Sequence, residues 1–218
     1  MNCNTTHYRA NSSSVPGDPT LVIGECIPGG TTTALTVLRA FGLECNISSS
    51  MQNNPLDLKN KIVLDALKRK KSDDPLEIIA NFGDPMIPVC AGMLASASKK
   101  CHVILAGGTQ MLAVLQLAKH IGYDAKNTAI GCTSYIVDDS QAKFLETLHQ
   151  IDNIAVLSCD PCLHNSQHFG FRSYADGFVK EGAGAGGAII ASLLKTENSI
   201  EQLFTLFEQE YKRISTLQ

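Results

Sequence analysis

Residues 20–33 have the sequence TLVIGECIPGGTTT, in which a short apolar stretch runs into a glycine-rich turn and then into three threonines. The apolar part, residues 20–24, predicts a buried strand, and the threonines predict the start of a helix. Glycine allows a backbone to approach a ligand closely, and the free N–H groups at a helix start attract a phosphate. This stretch therefore predicts a strand–turn–helix unit that binds a phosphate, although a purely structural turn would have the same sequence.

The same alternation of apolar strands and helices continues along the chain. Further strands are predicted at residues 43–48, 102–106, 128–131 and 154–158. Helices are predicted at residues 31–41, 55–71, 75–82, 88–99, 107–121, 140–150, 188–194 and 200–214. Apolar strands separated by helices form a mostly parallel sheet with helices on both faces. We expect an α/β fold with a Rossmann-like three-layer arrangement, in which residues 1–19 are a polar, poorly ordered lead-in and residues 20–218 form a single domain.

The composition excludes several classes of function. The chain has 218 residues, of which 44% are hydrophobic and 18% charged, an ordinary globular balance. A net charge of −3 without a basic stripe argues against a nucleic-acid partner. No apolar run approaches the roughly 18 residues that span a membrane, and the polar N-terminal residues lack a signal-peptide core. The eight cysteines are scattered through strand and helix patterns, which favours reduced thiols in a cytoplasmic protein.

A glutamate stands beside each of two glycine-rich turns. Glu25 follows the first strand, and Glu181 precedes the sequence GAGAGG at residues 182–187. A carboxylate repels a phosphate, so its presence at such a turn suggests a second role, such as taking a proton. The pair indicates chemistry on a phosphorylated small molecule, although close helix packing would equally explain the second set of glycines.

Two segments of the chain partly match known nucleotide-binding motifs, but each lacks a required feature. Gly24 and Gly29 have the spacing of a nucleoside-triphosphate loop, but Gly30 occupies the position of the required lysine. The glycines of residues 182–187 have the dinucleotide spacing, but no convincing strand precedes them. Neither a nucleoside triphosphatase nor a dinucleotide site is expected.

Four zinc-ligand types lie close together at Cys159, Cys162, His164 and His168. Pro161 interrupts the segment, and the distance from cysteine to histidine is shorter than in a zinc finger. We therefore expect neither a metal nor a cofactor, with zinc at this cluster as the alternative.

Six segments occur together in a fixed order. They are GECIPGGTTTA at 24–34, DPLE at 74–77, GDPM at 83–86, AGM at 91–93, AGGTQ at 106–110 and VKEGAGAGG at 179–187. Together they resemble the nicotinate-nucleotide–dimethylbenzimidazole phosphoribosyltransferases, especially the archaeal and cyanobacterial branch. The resemblance implies transfer of the phosphoribosyl group of nicotinate mononucleotide to a benzimidazole-type base in cobalamin nucleotide-loop synthesis. This reaction would give an α-riboside 5′-phosphate and nicotinate. It would require no cofactor, because the cationic pyridinium of the substrate is already an activated leaving group.

The resemblance also assigns roles to residues. Glu181 matches the catalytic glutamate, the base, and Glu25 matches a glutamate near the reacting centre. The positions predicted to bind the phosphate or the substrates are Gly29, Gly30, Thr31, Thr32, Lys61, Ser49, Ser50, Gly107, Gly108, Gly182 and Gly184. Two departures stand out: serines 48–50 replace a glycine-rich loop of the bacterial members, and Phe178 stands where those members have an arginine, with Lys180 nearby.

Family members carry a substantial region before the first glutamate turn, which supplies part of the benzimidazole pocket. Here only about 20 polar residues precede the first strand. The resemblance therefore leaves open a truncated, non-catalytic nucleotide-binding or assembly module that works with a separate N-terminal partner. Another ribosyl-phosphate transferase with a different base is a third interpretation. The apolar stripe on the last helix is compatible with internal packing or with a homodimer.

Overall fold

Four parallel strands form one sheet in the part of the chain that the computed structural model describes, residues 19–48, 55–196 and 198–216. In sheet order the strands are β1 (Thr20–Gly24), β2 (His102–Ala106), β3 (Thr128–Thr133) and β4 (Ala155–Cys159). The α-helices of the described residues are α1 (Gly30–Ala40), α2 (Leu56–Leu67), α3 (Pro75–Phe82), α4 (Met86–Ala97), α5 (Thr109–Ile121), α6 (Ser134–Val137), α7 (Phe144–Ile151), α8 (Phe169–Ser173), α9 (Ala185–Thr196) and α10 (Ile200–Ser215). Of the lead-in predicted at residues 1–19, residues 1–18 lie outside the described residues.

The strands end at the same edge of the sheet. Gly24, the last residue of β1, pairs with Ala106, the last residue of β2. Thr133 and Cys159, which end β3 and β4, pair with each other. Because all neighbours are parallel, the segments that leave the strands meet along this edge, where ligands bind in such sheets.

Helices cover both faces of the sheet. Val103 and Leu105 of β2 belong to a buried apolar cluster that includes residues of α1, α4, α5 and α7. Ile104, between them, belongs to a second cluster with residues of α9 and α10. Successive side chains of a strand point to opposite faces, so the sheet lies between two helical layers. The α/β fold with a Rossmann-like three-layer arrangement is confirmed.

Two Asp-Pro pairs start consecutive helices. The Asp74 carboxylate accepts the N–H groups of Leu76 and Glu77 at 2.9 and 3.0 Å, at the start of α3. Asp84 does the same for the first residues of α4, at 2.9 and 3.1 Å. Such caps satisfy N–H groups that have no partner within the helix.

The strand predicted at residues 43–48 is wrong, since these residues form no ladder. The carbonyl of Cys45 accepts the Arg39 guanidinium at 3.3 and 3.0 Å. The backbone N–H and carbonyl of Glu44 bond the Gln150 side chain at 3.2 and 3.0 Å. Side chains therefore satisfy the backbone, and the apolar pattern arises because Cys45 and Ile47 are buried in the core.

The first part of the apolar stripe of α10 packs within the chain. Ile200 and Leu203 are buried against α9. Further along, the rings of Phe207 and Tyr211 contact Phe171 of α8, with centroids 6.5 and 5.0 Å apart. Internal packing thus accounts for the first part of this stripe, whereas Ile214 at its end is 50% exposed, and the homodimer stays a prediction.

The cysteines of the described residues differ in state. The free thiols are Cys26, Cys45, Cys90, Cys101, Cys132 and Cys159. Cys162 is disulfide-bonded, contrary to the expectation of reduced thiols throughout. Within the same described ranges, none of the helices combines the length and the apolar character needed to cross a membrane.

Candidate active site

A cleft lies at the carboxyl edge of the sheet, where the segments after the strands meet. Its walls come from the first turn, the coil that ends at Ser48, the start of α5, α6 and the second glycine turn. The lining residues are Glu25, Thr31, Ser48, Gly108, Thr109, Gln110, Ile136, Lys180, Glu181 and Gly182. The two glutamates that stand far apart in sequence therefore share one cleft.

Glu181 is held by both carboxylate oxygens. Oε2 accepts the N–H of Thr133 at 2.7 Å, and Oε1 accepts the N–H of Gly186 at 2.8 Å. Burial raises the pKa of this carboxyl to about 7, against the opposing effects of the two N–H donors and of the Thr133 hydroxyl. A carboxyl with a pKa near neutrality can accept and release a proton under ordinary conditions, as a general base must.

Glu25 occupies the turn that leaves β1. Its Oε2 accepts the N–H of Ile27 at 2.9 Å, which folds the side chain back onto its own loop. Burial raises the pKa of Glu25, and the negative charge of Asp84 adds to the increase. The cleft thus contains two carboxyl groups, each with a raised pKa.

The local structure explains why glycine occupies two positions of the first turn. Gly29 has φ of 74°, in the left-handed region that favours glycine. A Cβ on Gly30 would lie 2.3 Å from the side-chain nitrogen of Gln110. Thr31 lines the cleft, and Thr32 donates its N–H to the carbonyl of Gly29 at 3.3 Å. This places the start of α1 at the cleft, although phosphate binding by these four residues stays a prediction.

The glycines of the second turn bring α9 against the sheet. A Cβ on Gly186 would lie 2.0 Å from the carbonyl carbon of Cys132, and one on Gly187 would lie 2.3 Å from the Cβ of Ala106. Gly184 has φ of 74°, and a Cβ there would lie 2.6 Å from the Ala106 carbonyl oxygen. Close packing accounts for these three glycines, whereas Gly182 lines the cleft. Ligand binding at Gly182 and Gly184 stays a prediction.

An ion pair closes the side of the cleft next to Glu181. Lys180 Nζ lies 2.6 Å from Asp139 Oδ2, and both side chains are largely buried. Ser48 Oγ donates to the same oxygen at 2.6 Å. Although burial opposes ionisation, the hydrogen bonds from Lys180 and Ser48 hold the pKa of Asp139 below its ordinary value. No motif marks Asp139, so sequence reasoning missed it.

The predicted lysine and its neighbour lie on different faces of α2. Lys61 is exposed and lines a separate surface groove with Asp57 and Leu64. Lys59 is only 5% exposed. Its pKa is lowered by burial and then by repulsion from the Lys180 ammonium. The structure thus brings Lys59, rather than Lys61, towards the ion pair. The available signal was the helical spacing of four residues between Lys59 and Val63, which share the buried face.

The segment after β2 contributes more than its glycines. Gly108, Thr109 and Gln110 all line the cleft. Gly107 is not among the lining residues, and a Cβ there would lie 2.8 Å from Met111 Cγ. Thr109 and Gln110 belong to the motif at residues 106–110, which could have identified them. Ser49 and Ser50, also predicted to bind the substrate, lie outside the described residues.

The zinc-ligand types near β4 take part in other contacts. Cys159 Sγ lies 3.9 Å from the carbonyl oxygen of Gly186, and His168 packs on Tyr211 with ring centroids 4.3 Å apart. Among the described residues, no three histidine, cysteine or acidic side chains are grouped to hold a metal ion.

Comparison with known proteins identifies the family. A family model described as phosphoribosyltransferase, DBI_PRT, matches residues 9–150, a range that ends before Glu181. The UPF0284 protein of Methanosarcina acetivorans is 43% identical over 176 residues, which cover 78% of this chain and 50% of that protein. The UPF0284 proteins of Pyrococcus abyssi and Archaeoglobus fulgidus are 42% and 41% identical, over 89% of this chain and 58% and 55% of theirs.

The chain therefore spans between half and three fifths of the length of these relatives. Their identity extends over most of the chain, and the family match covers the first turn, the Asp-Pro helices and the segment after β2. The chain belongs to the DBI_PRT phosphoribosyltransferase family.

Proposed function

We propose that this chain transfers the phosphoribosyl group of nicotinate mononucleotide to a ring nitrogen of a benzimidazole-type base. The product is an α-riboside 5′-phosphate for cobalamin nucleotide-loop synthesis, and nicotinate leaves. The observation that carries the proposal is Glu181, a partly buried carboxyl at the carboxyl edge of the sheet with a pKa of about 7. Family membership supports phosphoribosyl transfer. The raised pKa of Glu181 supports its role as the base that takes a proton from the acceptor.

In the proposed step, a benzimidazole nitrogen attacks C1′ of the ribose. The C1′–N bond to nicotinate breaks, and its electron pair returns to the pyridinium ring, which becomes neutral. The N–H proton of the benzimidazole moves to Glu181. Positive charge develops on the ribose ring as the bond breaks, and a Glu25 carboxylate in the same cleft would stabilise that charge.

The 5′-phosphate is assigned to the first turn. Gly29 and Gly30 bring backbone to the start of α1, and Thr31 lies in the cleft wall. The helix start offers N–H groups and the positive end of the helix dipole. The proposal keeps Thr32, Gly107, Gly108 and Gly182 as substrate contacts.

The test is nicotinate release from nicotinate mononucleotide in the presence of dimethylbenzimidazole. Glu181→Gln keeps the shape of the side chain but cannot take a proton, so we expect a loss of turnover of roughly 10²-fold or more. Glu146→Gln, an exposed change on α7, is the matched control and should keep full turnover. Undiminished activity of Glu181→Gln would rule out the base.

The second candidate is a nucleotide-binding or assembly module of the same fold without activity of its own. The observation that favours it is the partial coverage of the relatives, which are 41–43% identical over 50–58% of their length. This candidate predicts calorimetric binding of nicotinate mononucleotide without turnover, and turnover once a separate N-terminal partner is added. Mass measurement in the same samples would report whether that partner or a second copy of the chain is bound.

A further inference from the structure

Thr133 contacts both the side chain of Glu181 and the backbone next to it. It is the last residue of β3 and is 0% exposed. Its N–H donates to Glu181 Oε2 at 2.7 Å, and its hydroxyl donates to the carbonyl of Lys180 at 2.6 Å. One buried residue thus holds the carboxylate and the preceding peptide at the same time.

The chain after Thr133 returns to the same place. α6 follows directly, and Asp139 just beyond it forms the 2.6 Å ion pair with Lys180 Nζ. Lys180 is therefore held at its carbonyl by Thr133 and at its ammonium by Asp139.

Regular secondary structure does not hold the Glu181 segment. Glu181 has φ of −150° and ψ of 19°, and it lies between Gly177 and Ala183, which have φ of 89° and 54°. A residue in irregular backbone depends on side-chain bonds for its position, and catalytic side chains tolerate only small displacements from the productive geometry.

We infer that Thr133 is a positioning residue for the proposed base. It anchors the Lys180–Glu181 peptide to the rigid end of β3 and so aims the Glu181 carboxylate into the cleft. The kinetic part of this inference rests on the proposed function, whereas the structural part does not.

Three ionisable groups next to Glu181 stay protonated at neutral pH. Burial raises the pKa of Cys132 on β3, Cys159 on β4 and Tyr174, so all three stay protonated at neutral pH. Lys180 is paired with Asp139, and Glu25 lines the same cleft. A change in how Thr133 holds Glu181 should therefore appear as a change in the pKa of Glu181.

The first test compares Thr133→Val and Thr133→Ser. Valine keeps the shape and the backbone N–H but loses the hydroxyl, so we expect kcat to fall roughly 10-fold or more while KM for nicotinate mononucleotide changes little. The acid limb of the pH profile should move to higher pH. Serine restores the hydroxyl and should recover most of the rate.

Thr147→Val is the matched control. Thr147 of α7 is also 0% exposed, and its hydroxyl donates at 2.9 Å to the carbonyl of Lys143, the residue before the helix. The Thr147→Val substitution also removes a hydrogen bond from a buried hydroxyl to a backbone carbonyl, but at a residue that does not line the cleft. It should therefore lower stability but leave kcat and the pH profile unchanged. If Thr133→Val matches Thr147→Val in both kinetic measurements, the positioning role is overturned. Thr133→Ala, which adds no bulk, replaces Thr133→Val if the latter does not fold.

A second measurement needs no turnover. The ¹³C signal of the Glu181 carboxyl, assigned by its loss in Glu181→Gln, gives the pKa directly by NMR titration. Thr133→Val should raise that pKa by about half a unit or more, because the Thr133 hydroxyl is one of the groups that lower the pKa of Glu181. A raised pKa in a protein that turns over no substrate would support the inference and overturn the proposed function. An unchanged pKa in a protein that turns over the substrates would overturn the inference and leave the proposed function supported.

Discussion

At the residue scale, Glu181 lies between two opposing effects. Burial favours its neutral form, while the N–H groups of Thr133 and Gly186 at 2.7 and 2.8 Å favour the charged form. Burial prevails, and the pKa rises to about 7. The same balance that makes the carboxyl a usable base makes it a source of pH-dependent stability.

The sign of that dependence follows from the shift. The folded pKa of Glu181, about 7, lies above the ordinary value of 4.5, so between these values the folded state binds a proton that the unfolded state has lost. Stability from this group is complete below about pH 4.5 and is lost as the pH rises through 7. Between pH 4 and 8, we expect wild type to lose on the order of 3 kcal/mol relative to Glu181→Gln. Urea unfolding at several pH values measures this, and a difference that stays constant with pH would contradict it.

At the scale of elements, the decisive contact is between α9 and the sheet. Gly186 lets the helix backbone approach β3 so closely that its N–H reaches Glu181. The residue therefore serves packing and the site together. This explains why a glycine-rich stretch stands directly after the glutamate.

Two glycines within helices give a matched pair of substitutions. Gly186→Ala would place a methyl group 2.0 Å from the carbonyl carbon of Cys132, so α9 must move; we expect a loss of roughly 2 kcal/mol or more together with lower turnover. Gly92→Ala in α4 meets no atom within 4 Å and should stabilise the chain by about 0.5–1 kcal/mol. Chemical denaturation of both variants tests the pair. If both substitutions changed the free energy of unfolding equally, the close approach of α9 to β3 would be contradicted.

At the scale of the whole molecule, the two apolar clusters lie on opposite faces of a shared sheet. β2 contributes Leu105 to one cluster and Ile104 to the other. Loss of either cluster would expose one face of the sheet to water. The helical layers on the two faces should therefore unfold together with the sheet.

We expect a single cooperative unfolding transition, in keeping with the predicted single domain. The chain has five tyrosines and no tryptophan, so tyrosine fluorescence and far-UV circular dichroism provide two separate probes. Their midpoints should coincide. Two resolved transitions would show that the layers fold independently.

Much of the fold and part of the site follow from local sequence. The strands at Thr20–Gly24 and His102–Ala106 are apolar and short, and helix starts such as Asp74-Pro75 carry their own caps. Glu25 and Gly108 could be placed in one site because each follows a strand, and the carboxyl ends of parallel strands share an edge. These features depend on neighbours in sequence or on a general rule of topology.

Other features depend on what the folded chain brings together. Residues 43–48 look like a strand, but Arg39 and Gln150 occupy their backbone groups. On α2, only packing decides that Lys59 is buried and Lys61 exposed.

By itself, the sequence determined the α/β class, the order of most of its elements and the two glutamate turns, because apolar period, capping and glycine geometry act over a few residues. The tertiary structure alone decided that Thr133 and Gly186 hold Glu181, and that Asp139 pairs with Lys180. Apart from Gly186, these partners come from β3 and the segment after it, more than 40 positions from Glu181. The proximity, and the burial that raises the pKa of Glu181, arise only when α9 packs on the sheet.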